Sequence, residues 1–319
     1  MVQRIKRHDA LEFEFAAREP MLTVDPGESF VIETEDASAG TIRSGVSKEE
    51  ILSHPNRQAS PPKGNPMGGP VHVRGAEPGD LLEIEIERIE VEGHGFHCWI
   101  GGSTPLSSDP RWPEFGEFTF HIPEFRPGPS DTTRDGKAYR DGVYEWDLQP
   151  MIGCFGVAPE REILTSSIGQ NIAGGNLDIR DVKEGTKIRL NVYHPGGLLF
   201  LGDVHASQGD TEYCGVAYEA PSEVQARCRV IKNKRIPFIQ LDLPDSIVAV
   251  RAGKSLDLMV HEAVADLIDW MATDYGVDPS TSYMYVSANP DFRINVYQYT
   301  VGLAAIGAEI PKKYLDRSD

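Results

Sequence analysis

Residues 82–87 read Leu-Glu-Ile-Glu-Ile-Glu, a strict alternation of apolar and acidic side chains. Successive side chains of a β-strand point to opposite faces, so this stretch predicts a strand with its apolar side chains in a core and its glutamates in water. The same alternation returns at residues 187–192, Lys-Ile-Arg-Leu-Asn-Val, and at residues 224–230, Val-Gln-Ala-Arg-Cys-Arg-Val. The middle of the chain is therefore predicted to be a sheet.

Toward the N-terminus, two further strands are predicted at residues 20–24 and 29–34, separated by a Pro-Gly turn. Two long segments lack strong periodicity. Residues 36–70 are rich in Ser, Pro, Gly and Asn, and residues 93–144 are rich in proline and aromatic residues. We expect both to form long loops or lids, because loops of this length in a compact domain usually serve function.

Toward the C-terminus, apolar residues recur at helical spacing between Ser255, a predicted N-cap, and Gly276, a predicted stop. A shorter helix at 279–288 and a strand at 292–299 are predicted to follow. The predicted organisation is a β-rich core domain, residues 1–245, with a C-terminal α/β segment packed on it, residues 246–319.

The composition of the chain argues against nucleic-acid-binding and membrane proteins. The chain has 319 residues, of which 31 are basic and 49 acidic, giving a net charge of −18. Such a charge repels phosphate backbones, so a nucleic-acid partner is not expected. No apolar run approaches the roughly 20 residues that cross a bilayer, and no apolar core follows the basic residues near the start. We expect a cytoplasmic protein, without membrane contact, whose four cysteines are reduced thiols.

One constellation of chemically active side chains stands out between residues 202 and 212. Asp203 and His205 are two residues apart after an apolar strand, so in an extended chain both leave on one face. Asp210 and Glu212 repeat that spacing. Carboxylates and an imidazole are ligands of Zn²⁺ and similar divalent ions. They equally suit a general-base network without metal, and a polar turn between strands gives the same pattern.

A second cluster is Gly174-Gly175-Asn176-Leu177-Asp178, where two glycines allow close backbone approach and Asn176 and Asp178 supply an amide and a carboxylate. His94 and His97 lie in a Gly-flanked aromatic segment and are kept as reserve ligands. Motifs of two other classes of hydrolase are absent or incomplete. There is no Gly-x-Ser-x-Gly elbow, and His261-Glu262 lacks the second histidine of a zincin.

With these residues in place, the chain resembles the acetamidase/formamidase family of amide hydrolases. The resemblance is carried by Gly69-Pro70-Val71 through Asp80, Pro150-Met151-Ile152-Gly153 through Pro159, Gly174 through Asp178, and Gly202-Asp203-Val204-His205 through Glu212. It implies a mainly β fold with jelly-roll-like and barrel-like parts and a C-terminal α/β segment. It also implies hydrolysis of short aliphatic amides such as formamide or acetamide, a divalent metal in several members, and a homodimer or higher homo-oligomer.

Several positions depart from the family pattern, among them Thr211, where glycine is usual, Asn295, and two positions at which histidine is common. Many members carry histidine directly before the Gly-Gly-Asn-x-Asp motif, where this chain has Ala173, and His-Pro where it has Asn65-Pro66. The aromatic segment 93–144 is a place where the pocket can be reshaped for a larger substrate.

The predicted mechanism is attack of an activated water molecule on an amide carbonyl. Asp203, His205 and Asp178 are the predicted ligands of a divalent metal, with zinc as the first choice. The predicted catalytic residues are Glu212 as general acid/base, Asn176 as an oxyanion donor, and Asp210. Two alternatives stay open: a catalytically silent protein that binds a small ligand on the same scaffold, and a hydrolase of another C–N bond.

Overall fold

The computed structural model describes residues 2–99, 101–102, 104–140, 142–300 and 302–315. Strands hold 39% and helices 18% of it, which confirms the mainly β prediction. The strands, in chain order, are β1 Gln3–Ile5, β2 Glu14–Phe15, β3 Leu22–Val24, β4 Ser29–Thr34, β5 Met67–Val73, β6 Leu81–Val91, β7 His97–Trp99, β8 Thr119–His121, β9 Glu124–Arg126, β10 Lys137–Arg140, β11 Tyr144–Asp147, β12 Met151–Val157, β13 Leu164–Thr165, β14 Gln170–Asn171, β15 Gly174–Asn176, β16 Lys187–Asn191, β17 Leu199–Ser207, β18 Tyr218–Glu219, β19 Ser222–Ile231, β20 Gln240–Asp242, β21 Ser246–Gly253, β22 Arg293–Thr300 and β23 Leu303–Pro311. The α-helices are α1 Lys48–Ser53, α2 Pro55–Gln58, α3 Leu256–Tyr275 and α4 Pro279–Ala288.

Two large sheets organise the chain. One has nine strands in the order β1-β4-β19-β6-β16-β20-β21-β23-β22, and the other has seven, β14-β15-β12-β17-β5-β3 with β18 paired to β17. Leu82 and Ile84 of β6 belong to the same apolar cluster as Phe155 of β12 and Leu201 of β17. The two sheets therefore share one hydrophobic core, whose burial is the main stabilising contribution to the fold.

The alternating stretch that began the sequence reading is the centre of the nine-stranded sheet. Its apolar side chains are buried as predicted. Its glutamates are less uniform than predicted: Glu83 is only 6% exposed and pairs with Arg189 on the neighbouring strand at 2.9 Å. A carboxylate is buried here because a cross-strand guanidinium neutralises it.

The helices confirm the capping signals in the sequence. In α3 the Ser255 side chain accepts from the Leu258 N–H at the N-terminus, and Gly276 is the left-handed C-cap with φ 66°. Helix α4 has the predicted bounds. The nine-stranded sheet continues across residue 245, because β20 pairs with β21. The division of the chain at that residue stays a prediction.

The two segments expected to be loops contain more structure than predicted. Residues 36–70 hold α1, α2 and the start of β5, and residues 93–144 hold β7 to β10 with several single-turn 3-10 helices. Strands β9, β10 and β11 form a separate three-stranded sheet. These elements are too short to show periodicity, so long-range pairing rather than local pattern determines them. Among the described residues, no helix is both long and apolar enough to cross a bilayer.

Candidate active site

Three neighbouring strands of the seven-stranded sheet bring the predicted residues together. β17 carries Asp203 and His205, β12 lies antiparallel beside it, and Asp178 follows β15, the next strand along. On its other edge β17 pairs with the two-residue strand β18, in a register that places Glu219 opposite His205. Sheet register, rather than sequence proximity, thus supplies a fourth side chain to the cluster.

His205 is 1% exposed and is surrounded by carboxyl groups. Its Nε2 lies 3.3 Å from Glu219 Oε2 and 3.7 Å from Asp203 Oδ1. Burial by itself would lower the pKa of His205. The negative charges of Glu219, Asp203 and Asp178 outweigh burial and raise the pKa of the imidazole well above its ordinary value.

The tautomer of His205 follows from Gln208. The Gln208 amide nitrogen donates to the backbone carbonyls of Asp178 at 2.6 Å and Tyr297 at 3.1 Å, which uses both of its hydrogens. Gln208 Oε1 lies 2.8 Å from His205 Nδ1. Because an amide oxygen only accepts, Nδ1 carries a hydrogen. Nε2 is therefore the atom that meets the carboxylates, either as a protonated donor or as a lone pair for a cation.

The two aspartates are held in place by amide and thiol donors. Asp203 Oδ2 accepts from Asn65 and from the Cys154 thiol, and Asp178 Oδ2 accepts from the Gln298 amide. Burial raises the pKa of Asp178 to about 6, although His205 counteracts part of this effect. Both residues adopt left-handed backbone conformations, with φ 47° at Asp178 and 56° at Asp203. Such strain at a cluster of polar groups is typical of functional sites.

Two glutamates complete the cluster. Burial raises the pKa of Glu212 well above its ordinary value, and the neighbouring Asp178 carboxylate raises it further. Burial also raises the pKa of Glu219 well above its ordinary range, while the Ala217 N–H donates to its Oε1 at 3.0 Å. A raised pKa brings the Glu212 carboxyl closer to the range in which it can both accept and release a proton.

The donor set fits a divalent cation. Three buried carboxylate oxygens accept no hydrogen bond within the described residues: Asp178 Oδ1, Asp203 Oδ1 and Glu219 Oε2. Ligand atoms of Asp178, Asp203 and His205 lie within 4.8 Å of one another, as do those of His205, Glu212 and Glu219. A buried group of carboxyls must be neutralised by protons or by a cation. Imidazole with carboxylates is the chemistry that zinc and related ions accept.

A cleft of about 830 Å³ reaches this cluster from the surface. Gln208 and Glu212 lie on its lining, together with Tyr218 and aromatic side chains from residues 97–147. Since His205 and the two aspartates are not part of that lining, Glu212 is the member of the cluster that faces the cleft. It is therefore the one placed to exchange a proton with a molecule bound there.

Two predicted catalytic residues, Asp210 and Asn176, do not belong to the groups of ligand atoms found in the described residues. Asp210 was expected to converge with Glu212. Instead, its side chain is 51% exposed and pairs with Arg180 at 3.0 Å. The reason is local: residues 210–212 form a 3-10 turn with φ 75° at Thr211, which breaks the two-residue alternation of an extended chain. The Asn176 amide donates to the Ser167 carbonyl at 3.1 Å and its Oδ1 accepts from Cys154. The catalytic roles of Asp210 and Asn176 stay predictions.

His94 and His97, the two histidines kept as reserve ligands, lie in different surroundings. The side chain of His94 is 62% exposed beside Glu92, whereas His97 lines the cleft, with Nε2 at 3.2 Å from the Cys214 sulfur. Neither belongs to the clusters of ligand atoms in the described residues. Sequence reasoning missed Glu219, although one signal was present. It is a single carboxylate in the otherwise apolar run Val-Ala-Tyr-Glu-Ala, residues 216–220, and charged residues are rarely buried without a partner.

Several proteins of known sequence or structure are similar to this chain. A formamidase of Methylophilus methylotrophus is 27% identical over 262 residues, which are 67% of this chain and 62% of the relative. The chain spans about three fifths of the length of the curated relatives it matches. The crystal structure of an acetamidase from Yersinia enterocolitica superposes with a TM-score of 0.84 at 26% identity, covering 99% of this chain and 94% of that one. An acetamidase from Bacillus halodurans gives a TM-score of 0.84 at 25% identity and 98% coverage of both chains.

The family assignment rests on most of the sequence. The sequence model of the Acetamidase/Formamidase family matches residues 16–171 and 166–294. Those ranges include β12, β15, β17 and β18, which carry the buried cluster, and the aromatic segment that lines the cleft. The resemblance read from the sequence motifs is thereby confirmed, and the chain belongs to the acetamidase/formamidase family.

Proposed function

We propose that this chain is an amide hydrolase that converts a carboxamide, of the formamide or acetamide type, to a carboxylate and ammonia. The observation that carries the proposal is the buried imidazole of His205 among carboxylate oxygens that accept no hydrogen bond in the described part of the chain, next to Glu212, which lines an open cleft. The formamidase and acetamidase names of the relatives support the same reaction class.

Asp178, Asp203 and His205 are the residues that would hold a divalent cation, with zinc as the proposed ion. When bound, such an ion supplies Lewis-acid chemistry, lowering the pKa of water and polarising a carbonyl. Glu219 forms a second group of ligand atoms with His205 and Glu212, which the sequence did not indicate. The Nδ1–H to Gln208 bond fixes the imidazole so that Nε2 faces the cation site, as an outer hydrogen bond does for histidine ligands generally.

Glu212 supplies the proton that the reaction needs. An amide nitrogen is a poor leaving group, so breaking the C–N bond requires protonation of that nitrogen. Burial and the Asp178 carboxylate raise the pKa of the Glu212 carboxyl well above its ordinary value, and the residue lines the cleft. Glu212 accepts a proton from the attacking water as the C–O bond forms and donates it to the nitrogen as the C–N bond breaks and ammonia departs, so that the carboxyl group ends the cycle as it began. General acid–base catalysis of this kind contributes about 10²–10⁴-fold.

The test is ammonia release from formamide and acetamide, with Zn²⁺ supplied and with EDTA. We expect turnover by the wild type and a loss of at least about 100-fold in kcat for Glu212→Gln. Glu160→Gln, at an exposed glutamate, is the matched control and should keep full activity. Full activity of Glu212→Gln, with a wild-type circular dichroism spectrum, contradicts the assignment. Binding of acetamide without any turnover by the wild type would instead favour a ligand-binding protein.

We also propose a homodimer or higher homo-oligomer. Ile163 and Ile168 are 63% and 64% exposed in the single chain, and an assembly that covers such side chains gains hydrophobic stabilisation. Light scattering coupled to gel filtration gives the mass directly, and a monomeric mass at micromolar concentration contradicts the proposal.

A further inference from the structure

Part of the lining of the cleft is a set of rings in contact with one another, which we name the aromatic surface. It consists of His97, Trp99, His121, Tyr144, Trp146 and Tyr218. Other parts of the cleft are lined by Arg140, Asp147, Arg180 and Asp210. Trp146 stacks on Tyr144 with ring centroids 4.1 Å apart and on Tyr218 at 5.3 Å, with an interplanar angle of 24° in both pairs. His97 contacts Tyr218 edge-on at 5.5 Å and leads to Trp99 and His121.

The aromatic surface is fixed directly to the strands that carry the catalytic cluster. Trp146 Nε1 donates to Ser207 Oγ at 3.1 Å, two residues after His205. Tyr218 immediately precedes Glu219, and its hydroxyl is hydrogen-bonded to that of Tyr144. Glu212 and these rings line the same cleft, so the rings border the space open to the substituent of an amide bound at Glu212.

The surface is also uncharged at neutral pH. Burial lowers the pKa of His97 to about 4, with a smaller effect from His121, and burial lowers the pKa of His121 as well. Both imidazoles are neutral under these conditions. Trp146 nevertheless remains 41% exposed. A flat, neutral and partly exposed ring surface is suited to a flat apolar ligand group.

Formamide and acetamide leave almost all of this space unfilled. Cavities of roughly 300–1,000 Å³ hold drug-sized ligands, and the cleft has about 830 Å³. We propose that the preferred substrate is a primary amide whose acyl group carries a planar aromatic ring, which stacks on the aromatic surface at Trp146. This inference rests on the proposed amide hydrolysis and specifies its substrate class.

The experiment compares kcat/KM for acetamide, phenylacetamide and cyclohexylacetamide, the last being a ring of similar size that is not flat. Aromatic pairs gain stacking energy beyond their buried area, so the wild type should prefer phenylacetamide over acetamide by about tenfold or more, and also over cyclohexylacetamide. Trp146→Leu should reduce the ratio of phenylacetamide to acetamide by about five- to tenfold. Trp112→Leu, at an exposed tryptophan outside the cleft lining, should leave the ratio unchanged.

Three results overturn the inference while leaving amide hydrolysis intact. They are acetamide turnover without preference for phenylacetamide, equal values for the aromatic and the saturated ring, and an unchanged ratio in Trp146→Leu. If the wild type hydrolyses none of the three amides with Zn²⁺ supplied, the proposed function itself fails and this inference fails with it.

Discussion

The Asn65 side-chain amide donates a hydrogen bond of 2.7 Å to Oδ2 of Asp203 across 138 residues of sequence. The resemblance read from the sequence led us to expect a histidine at this position, where the chain has Asn65. Here it serves as a neutral donor that orients one carboxylate of the buried cluster. Hydrogen bonds to charged groups contribute more than neutral ones, typically about 1.5–3 kcal/mol.

We predict that Asn65→Asp destabilises the protein by more than Asn65→Gly. Asn65 has φ 56°, a conformation that glycine and aspartate tolerate, so backbone strain is similar in the two variants. The glycine variant loses the donor, at a cost of about 1–3 kcal/mol. The aspartate variant also places a like charge beside Asp203. Urea unfolding in EDTA measures both free energies, and an Asn65→Asp protein as stable as the wild type contradicts the prediction.

Gly153 leaves space between the two aspartates. A Cβ atom there would lie 2.8 Å from both Asp178 Oδ1 and Asp203 Oδ2. We predict that Gly153→Ala displaces these carboxylates, costs about 1–3 kcal/mol of stability, and abolishes the rise in melting temperature that Zn²⁺ produces. In Gly93→Ala the added Cβ would meet only an ordinary contact at 3.6 Å, so this variant should retain that rise. An undiminished response to Zn²⁺ in Gly153→Ala would show that the aspartates do not hold the ion.

Zinc should stabilise the wild type by mass action. An ion that binds only the native state contributes about 4 kcal/mol when its free concentration is about 1,000 times its Kd. We therefore predict a clear upward shift of the melting temperature with Zn²⁺ and a much smaller one for Asp203→Asn, which loses a carboxylate ligand of the proposed site. Glu160→Gln provides the control at an exposed carboxylate. Superimposable wild-type melting curves in Zn²⁺ and in EDTA would refute the proposed metal site.

His97 should make stability depend on pH. Its pKa is about 4 in the folded protein against an ordinary value of 6.5, so the unfolded chain binds this proton first as the pH falls. The contribution is fully present above pH 6.5 and is lost progressively toward pH 4, by at most about 3 kcal/mol. We predict that His97→Gln loses less stability than the wild type between pH 7 and pH 4 in urea unfolding. His8→Gln, at a histidine whose side chain is 80% exposed, should follow the wild type, and parallel wild-type and His97→Gln profiles would contradict the prediction.

Local patterns in the sequence predicted the elements that are long or well capped. Strand Ser29–Thr34 and helix Pro279–Ala288 have the predicted bounds, because alternation and capping residues act over neighbouring positions. The short strands within residues 93–144 gave no such signal. They depend on pairing with partners distant in the sequence, and a strand of three residues is too short for its pattern to be recognised.

In the candidate site, too, local relationships were predicted and long-range ones were not. Asp203 and His205 were recognisable from their spacing on one strand. Glu219 joins them only through the register of β17 and β18, a non-local relationship that spacing does not encode. Asp210 was expected to lie beside Glu212 on an extended strand. The positive φ at Thr211 turns the backbone there, so the two side chains point in different directions from those of an extended chain. The sequence therefore predicted which side chains have suitable chemistry, whereas only the folded structure shows which of them lie together.

The hydrogen bond from Trp146 to Ser207 joins two structurally distinct parts of the molecule. The rings belong largely to the segment between β6 and β12, which forms small sheets of its own, while Asp203 and His205 belong to the seven-stranded sheet. Substitutions within that segment would therefore change the shape of the cleft and leave the buried cluster in place. Transferring the segment to a relative is a direct route to altered selectivity.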